Sequence, residues 1–256
     1  MTDPFNPLTF VGLPDWCAAL LAALFALPWL LLLGRGHLRR WPTWAAVAAA
    51  AILFPISLAW LQAPLEVAVD WLLRRALNAA AMQRYLLAVT VPTMLVTGLV
   101  QESVKLLIVV AALRLLGATR RPLAGLALGA VVGAGYGGFE AFWVFNQVFA
   151  AGLTWATLQM AGVGVVLVFL DRLVGVPIHV GLLALAGYGY ASGRPWRFLL
   201  VAIVLHAAAN YVDVFRQAGL LSVVGVEIGA ALLAAVAIGL TFWLRRRAVR
   251  PAVQAS

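Results

Sequence analysis

Cysteine is all but missing from this chain: Cys17 stands alone among 256 residues. That excludes an intrachain disulfide and a thiolate zinc cluster. Charge is scarce as well, at 11% of residues, with nine acidic side chains in all. No Lys or Arg precedes the first apolar run. The basic n-region of a secretory signal is therefore lacking, and that run is expected to stay as a spanning helix. No His-Glu-x-x-His motif occurs, which removes the zincin arrangement. No convincing internal repeat stands out, which weighs against the inverted repeats of a transporter. The apolar runs do not alternate as the strands of a membrane barrel would.

What the chain has instead is apolar length. It is 64% hydrophobic, with a mean hydropathy of +1.01, more than a single soluble core of this size can hide. Several runs reach the roughly 20 residues that cross a bilayer as helix. In lipid the backbone must satisfy itself within each segment, so helices follow. The expectation is an all-α transmembrane bundle forming one integral membrane domain over 1–256. Seven spans are read at about 13–34, 44–62, 85–114, 122–149, 168–192, 196–215 and 219–244. Segment 63–84, with Glu66, Asp70, Arg74, Arg75 and Arg84 among apolar residues, reads as an amphipathic helix at an interface.

Arginine placement turns the net charge of +9 into a topology signal and away from a nucleic-acid partner. With seven spans, one side collects Arg35, Arg39, Arg40, Arg114, Arg120, Arg121, Arg194, Arg197, Arg245, Arg246, Arg247 and Arg250. The other side holds Arg74, Arg75, Arg84, Arg172 and Arg216. Splitting 153–192 at Gly175 and Pro177 into two spans would move Arg194, Arg197 and the C-terminal cluster to the poorer side. Seven spans are thus favoured, with the N-terminus outside, the C-terminus cytoplasmic, and 150–167 an external or partly re-entrant segment. Trp16, Trp41, Trp44, Trp155 and Trp196 fall where interfacial belts would lie.

A few polar groups fall deep inside spans: Glu102 and Lys105, Glu140, His179, and His206 with Asn210. A charge at the bilayer centre costs about 2.5–3.5 kcal/mol on insertion scales. At about 1.5 Å per residue, Glu102 lies roughly 18 Å from Arg114, His179 about 22 Å from Arg194, His206 and Asn210 roughly 14 and 20 Å from Arg197, and Glu140 about 28 Å from Arg121. Four helices can therefore present polar groups at overlapping depth. Two carboxylates, two imidazoles and an amide match the ligand and acid–base set of a catalytic zinc site. Other readings stay open. Glu102 and Lys105, three apart, can form an intrahelical ion pair. His179 can cap carbonyls freed at Pro177. His206 and Asn210, four apart on one face, can hold neighbouring helices together. Gly125, Gly129, Gly133 and Gly137 form a stripe for close helix packing that would fix Glu140 in the bundle.

These residues, in this order, resemble the CPBP-type intramembrane metalloproteases, a superfamily that includes the type II CAAX prenyl endopeptidases, PrsW and YhfC-like proteins. Gln101-Glu102-Ser103-Val104-Lys105 is similar to that group's Glu-Glu motif followed by a basic residue. Gly133 to Ala141, containing Tyr136 and Glu140, resembles a Gly-rich segment ending in Glu-Ala. Asp171-Arg172 precedes His179 as an acidic-Arg pair precedes the family histidine, and His206-Ala-Ala-Ala-Asn210 matches a His-x-x-x-Asn pattern. The resemblance covers about 85–215. It implies a Zn2+-dependent endopeptidase in a bacterial or archaeal cytoplasmic membrane, acting on a membrane protein or peptide. By that resemblance Glu140, His179 and His206 hold the metal, Glu102 acts as base, Asn210 assists the oxyanion, and Lys105 and Tyr136 support them. The roles of Glu102 and Glu140 are interchangeable at this stage. Gln101 stands where the family has its first glutamate, and Gln takes no proton; either Glu102 suffices or the chain is a non-cleaving relative. Tyr136 stands where YhfC-like members often carry histidine. The competing functions are a proton- or ion-coupled transporter and a non-catalytic membrane scaffold.

Overall fold

The protein is described by a computed structural model covering residues 14–150, 152, 156, 159–160 and 162–254, in which every described element is helical. The helices are α1 (Trp16–Leu33), α2 (Trp41–Ser57), a π-helical turn (Leu58–Gln62), α3 (Ala63–Ala76), α4 (Ala79–Arg84), α5 (Leu86–Leu115), α6 (Pro122–Ala150), α7 (Val163–Ala191), α8 (Pro195–Gln217) and α9 (Val223–Gln254). Among the described residues seven helical stretches are long and apolar enough to cross a membrane, α2 to α3 counting as one from Trp41 to Ala76. The protein is an all-α polytopic bundle.

The expected spans and the observed helices differ most at the second. The sequence ends that span near residue 62, yet the helix continues to Ala76. The π turn explains how. The Ala63 N–H reaches back five residues to the Leu58 carbonyl, and this widened turn takes up Pro64 without a break. The chain breaks later, at Leu77, which is extended, and restarts where the Asn78 side chain accepts from Ala81 N at 2.9 Å. The proposed amphipathic segment 63–84 is therefore a continuation of α2 plus the short α4, and neither piece contains a fully buried residue. Trp16, Trp41, Trp44 and Trp196 are exposed on the bundle surface. Trp155 and most of segment 150–162 lie outside the described residues.

Helix α6 is the centre of the bundle. Of its apolar window 83% is buried, against 22% for α1 and 17% for α9. Its glycine stripe explains this position. A Cβ at Gly125, Gly129 or Gly133 would run into the carbonyl of Gly187, Leu183 or His179, respectively. Only bare backbone lets α6 and α7 approach so closely. Gly98 does the same between α5 and α8, where a Cβ would meet the Ile203 carbonyl at 2.6 Å. The two close contacts bring α5, α6, α7 and α8 around one interior point.

Candidate metal centre

On α5, Glu102 and Lys105 share a face and are completely buried. Gly98 lies one turn before Glu102 on that face, so its contact with α8 brings Glu102 onto His206. The two meet at 2.6 Å, Nδ1 to Oε1. Lys105, the lone lysine of the chain, places Nζ 2.5 Å from the same Glu102 oxygen and 2.9 Å from Nδ1 of His179. It also lies 4.9 Å from the centroid of the Tyr136 ring.

The α6–α7 contact supplies the other side. Gly137 lies under the His179 ring, where a Cβ would be 2.9 Å from Cδ2. One turn further on, Glu140 Oε2 meets His179 Nε2 at 2.7 Å. Its second oxygen accepts from Arg172 Nη1 at 2.8 Å, and Arg172 is also bonded to Asp171. Arg172 and His179 are two turns apart on one face of α7. Tyr136, fully buried, contacts the His179 ring with 5.7 Å between centroids, and its hydroxyl lies 3.2 Å from Ser57 Oγ.

These bonds fix the His179 tautomer. An ammonium only donates, so Nδ1 of His179 accepts from Lys105 and its Nε2–H donates to Glu140. The Nδ1 lone pair thus points into the group. His206 donates from Nδ1 to Glu102, which leaves its lone pair on Nε2. Glu102, His179 and His206 each offer a ligand atom, and the three atoms lie within 4.8 Å of one another. The imidazole centroids are 5.3 Å apart. Glu102 Oε2 is buried and has no hydrogen-bond partner among the described residues. One carboxylate with a spare oxygen and two imidazoles are a donor set that fits a divalent ion such as zinc. Lys105 already shows that a cation is accepted between Glu102 and His179.

Of the residues singled out from sequence, Glu102, Lys105, Glu140, His179, His206 and Tyr136 lie in one connected cluster. Glu140 is outside the three-ligand group and joined to it through His179. Asn210 is exposed and points elsewhere: it lines a cavity of about 700 Å³ shared with Gln62, Thr97, Asp171 and Arg172. Gln101 turns away from the cluster and donates to Gln62 Oε1 at 3.0 Å. Gln62 in turn donates to Glu66, which also accepts from Thr97. Arg172 bridges Glu140 and the open cavity. Its seven-residue spacing to His179 was the available signal.

The sequence model of the PrsW family intramembrane metalloproteases matches residues 38–243, which contain every residue of this cluster. No curated protein and no solved structure matches the chain.

Proposed function

Because the chain belongs to the PrsW family of intramembrane metalloproteases, we propose that it is a zinc-dependent endopeptidase that cleaves membrane-associated proteins or peptides. In this reading Glu102, His179 and His206 hold the metal. Bound there, zinc supplies Lewis-acid polarisation of the scissile carbonyl and an acidified water. Glu140 accepts the His179 Nε2–H and so fixes the ring with its lone pair turned inward, the carboxylate–histidine pairing that orients metal ligands. Glu140 also connects to the open cavity through Arg172, which lines it, and is assigned as the proton acceptor. Lys105 leaves the gap between Glu102 and His179 when the ion enters. Asn210 and Arg172 line the approach and offer donors to a substrate backbone. The arginine-rich end is assigned to the cytoplasm, with the N-terminus outside.

The observation that carries this reading is the buried Glu102–His179–His206 group with its unbonded carboxylate oxygen. The experiment is metal analysis of purified protein, combined with cleavage of a transmembrane reporter peptide in proteoliposomes. Wild type is expected to carry one zinc. Glu102→Gln and the double variant His179→Ala, His206→Ala are expected to lose it. Glu140→Gln should keep the metal and lose cleavage. Loss of metal in Glu140→Gln with retention in Glu102→Gln would exchange the two roles. Normal zinc content in the double-histidine variant would end the site assignment. Metal without cleavage in wild type would favour the scaffold reading, for which Gln101 is the supporting observation.

A further inference from the structure

The second large cavity lies at the arginine-rich end, away from the Glu/His group, and also measures about 700 Å³. It forms between the α1–α2 loop, the α5–α6 junction and the start of the C-terminal arginine cluster on α9. Arg40, Arg120, Arg121 and Arg247 line it, together with His37 and Tyr188, and among the described residues no acidic side chain does. Among the described residues none of these four arginines is in an ion pair. The segments around this cavity carry no acidic residue: none of the chain's nine falls within 34–40, 114–122, 191–198 or 244–254.

Two further features sit in the same cavity. Helix α6 starts at Pro122, and Leu123 and Ala124 of its first turn line the wall. N–H groups in a first turn have no intrahelical acceptor and favour anions. The buried Nδ1 of His37 has no hydrogen-bond partner among the described residues. Burial, and then the Arg40 guanidinium, hold His37 below its ordinary pKa, as a positive pocket without a counter-charge requires. Leu116 and Leu123 give the cavity an apolar wall, at the ends of two spans, where acyl chains would lie alongside.

We propose that this cavity binds the phosphate-bearing headgroup of an anionic membrane lipid. The guanidinium groups clamp the phosphate by charge-assisted hydrogen bonds, the first turn of α6 adds backbone donors, and the leucines contact the glycerol and upper acyl chain. This is a built site between helices and distinct from the diffuse attraction of basic loops to an acidic leaflet. It does not depend on the protease assignment.

The test uses the full chain in detergent and reads thermal shift and native mass spectrometry against phosphatidylglycerol, phosphatidylcholine and inorganic phosphate. Phosphatidylglycerol is expected to stabilise wild type saturably and to remain bound, with phosphatidylcholine doing neither. Arg120→Gln with Arg121→Gln should weaken this by about tenfold or more. Arg35→Gln with Arg39→Gln, an equal charge loss on the α1–α2 loop at two positions that do not line the cavity, should change it by less than about threefold. Far-UV circular dichroism and a single size-exclusion peak report folding of both variants. Equal weakening by the two pairs would reduce the effect to bulk charge and overturn the proposal. So would an equal shift with inorganic phosphate alone, or equal binding of both lipids.

Discussion

Lys105→Met tests whether the centre is built around a cation. The ammonium bonds Glu102 at 2.5 Å and His179 at 2.9 Å, and both members of the Lys105–Glu102 pair are 0% exposed. Removing it leaves a buried carboxylate with only His206 for company. Breaking a fully buried pair costs about 3–5 kcal/mol. Met retains most of the Lys volume, so little of that loss is cavity formation. Equilibrium unfolding in mixed micelles with chelator present should therefore show the variant less stable by about that amount.

Metal should reverse the order. Lys105 and an incoming ion compete for the same two groups, so an ion entering the wild type must displace contacts that the variant no longer has. By linkage, whatever part of the 3–5 kcal/mol is recovered in the bound state appears as affinity, and about 1.4 kcal/mol is already tenfold. Chelator competition should give Lys105→Met a zinc Kd at least about tenfold tighter than wild type. Equal stability in chelator would show that the ammonium contributes nothing at this point. Weaker zinc binding in the variant would show that Lys105 supports the site instead of competing for it, and the assignment of Glu102 as a ligand would fall.

Gly133→Ala should destabilise the fold by about 1–3 kcal/mol, because the added methyl meets the His179 carbonyl; unfolding midpoints check it. Gly137→Ala presses only on the His179 ring, so zinc affinity should drop more than stability does. Arg172→Gln should cost about 1–3 kcal/mol, leave zinc content unchanged and lower cleavage, since it touches Glu140 and not the three ligands. Gln101→Glu should destabilise by about 1–3 kcal/mol, because a carboxylate oxygen would face the Gln62 carbonyl oxygen, and it should not raise activity. His37 is held below its ordinary value by burial, so its stabilising contribution is full above about pH 6.5 and is lost as pH falls from there through the lower folded-state value. His37→Gln should flatten that part of the stability–pH curve between about pH 7.5 and 5.

Much of this architecture is written in local pattern. Apolar runs and arginine clusters give seven helices and nearly all of their ends, because lipid leaves the backbone no alternative. The four-residue glycine spacing gives the α6 contact face. The failure at residues 63–76 has a physical cause: the sequence shows Pro64 and a rise in charge, both of which normally end a span, while the π turn before it absorbs the proline. That Glu102, Lys105, Glu140, His179 and His206 are close follows from their depth, which spacing encodes. Azimuth is harder. Asn210 shares a helical face with His206 by period alone, yet His206 is buried and Asn210, one turn further on, is exposed and lines the cavity. Gly98 carries no motif and is visible only as a close approach once α8 is in place.

Azimuth also bears on what Gln101 means. Residues 101 and 102 are adjacent in sequence and about 100° apart around α5. Glu102 faces α7 and α8, whereas Gln101 faces the π turn. There it holds Gln62, which holds Glu66, so three amide and hydroxyl donors converge on a strip leading to the open cavity. The amide at 101 and the amide at 62 suit each other, and a carboxylate at 101 would require Gln62 to turn and release Glu66. Replacing the first acid of the motif therefore removes a carboxylate from the wall facing α2 and leaves the donor set of Glu102, His179 and His206 intact. If the chain cleaves, the proton must go to an acid on another helix, and Glu140 is the one bonded to a ligand. Glu140→Gln, with metal retained and turnover lost, is the variant in which that argument stands or fails.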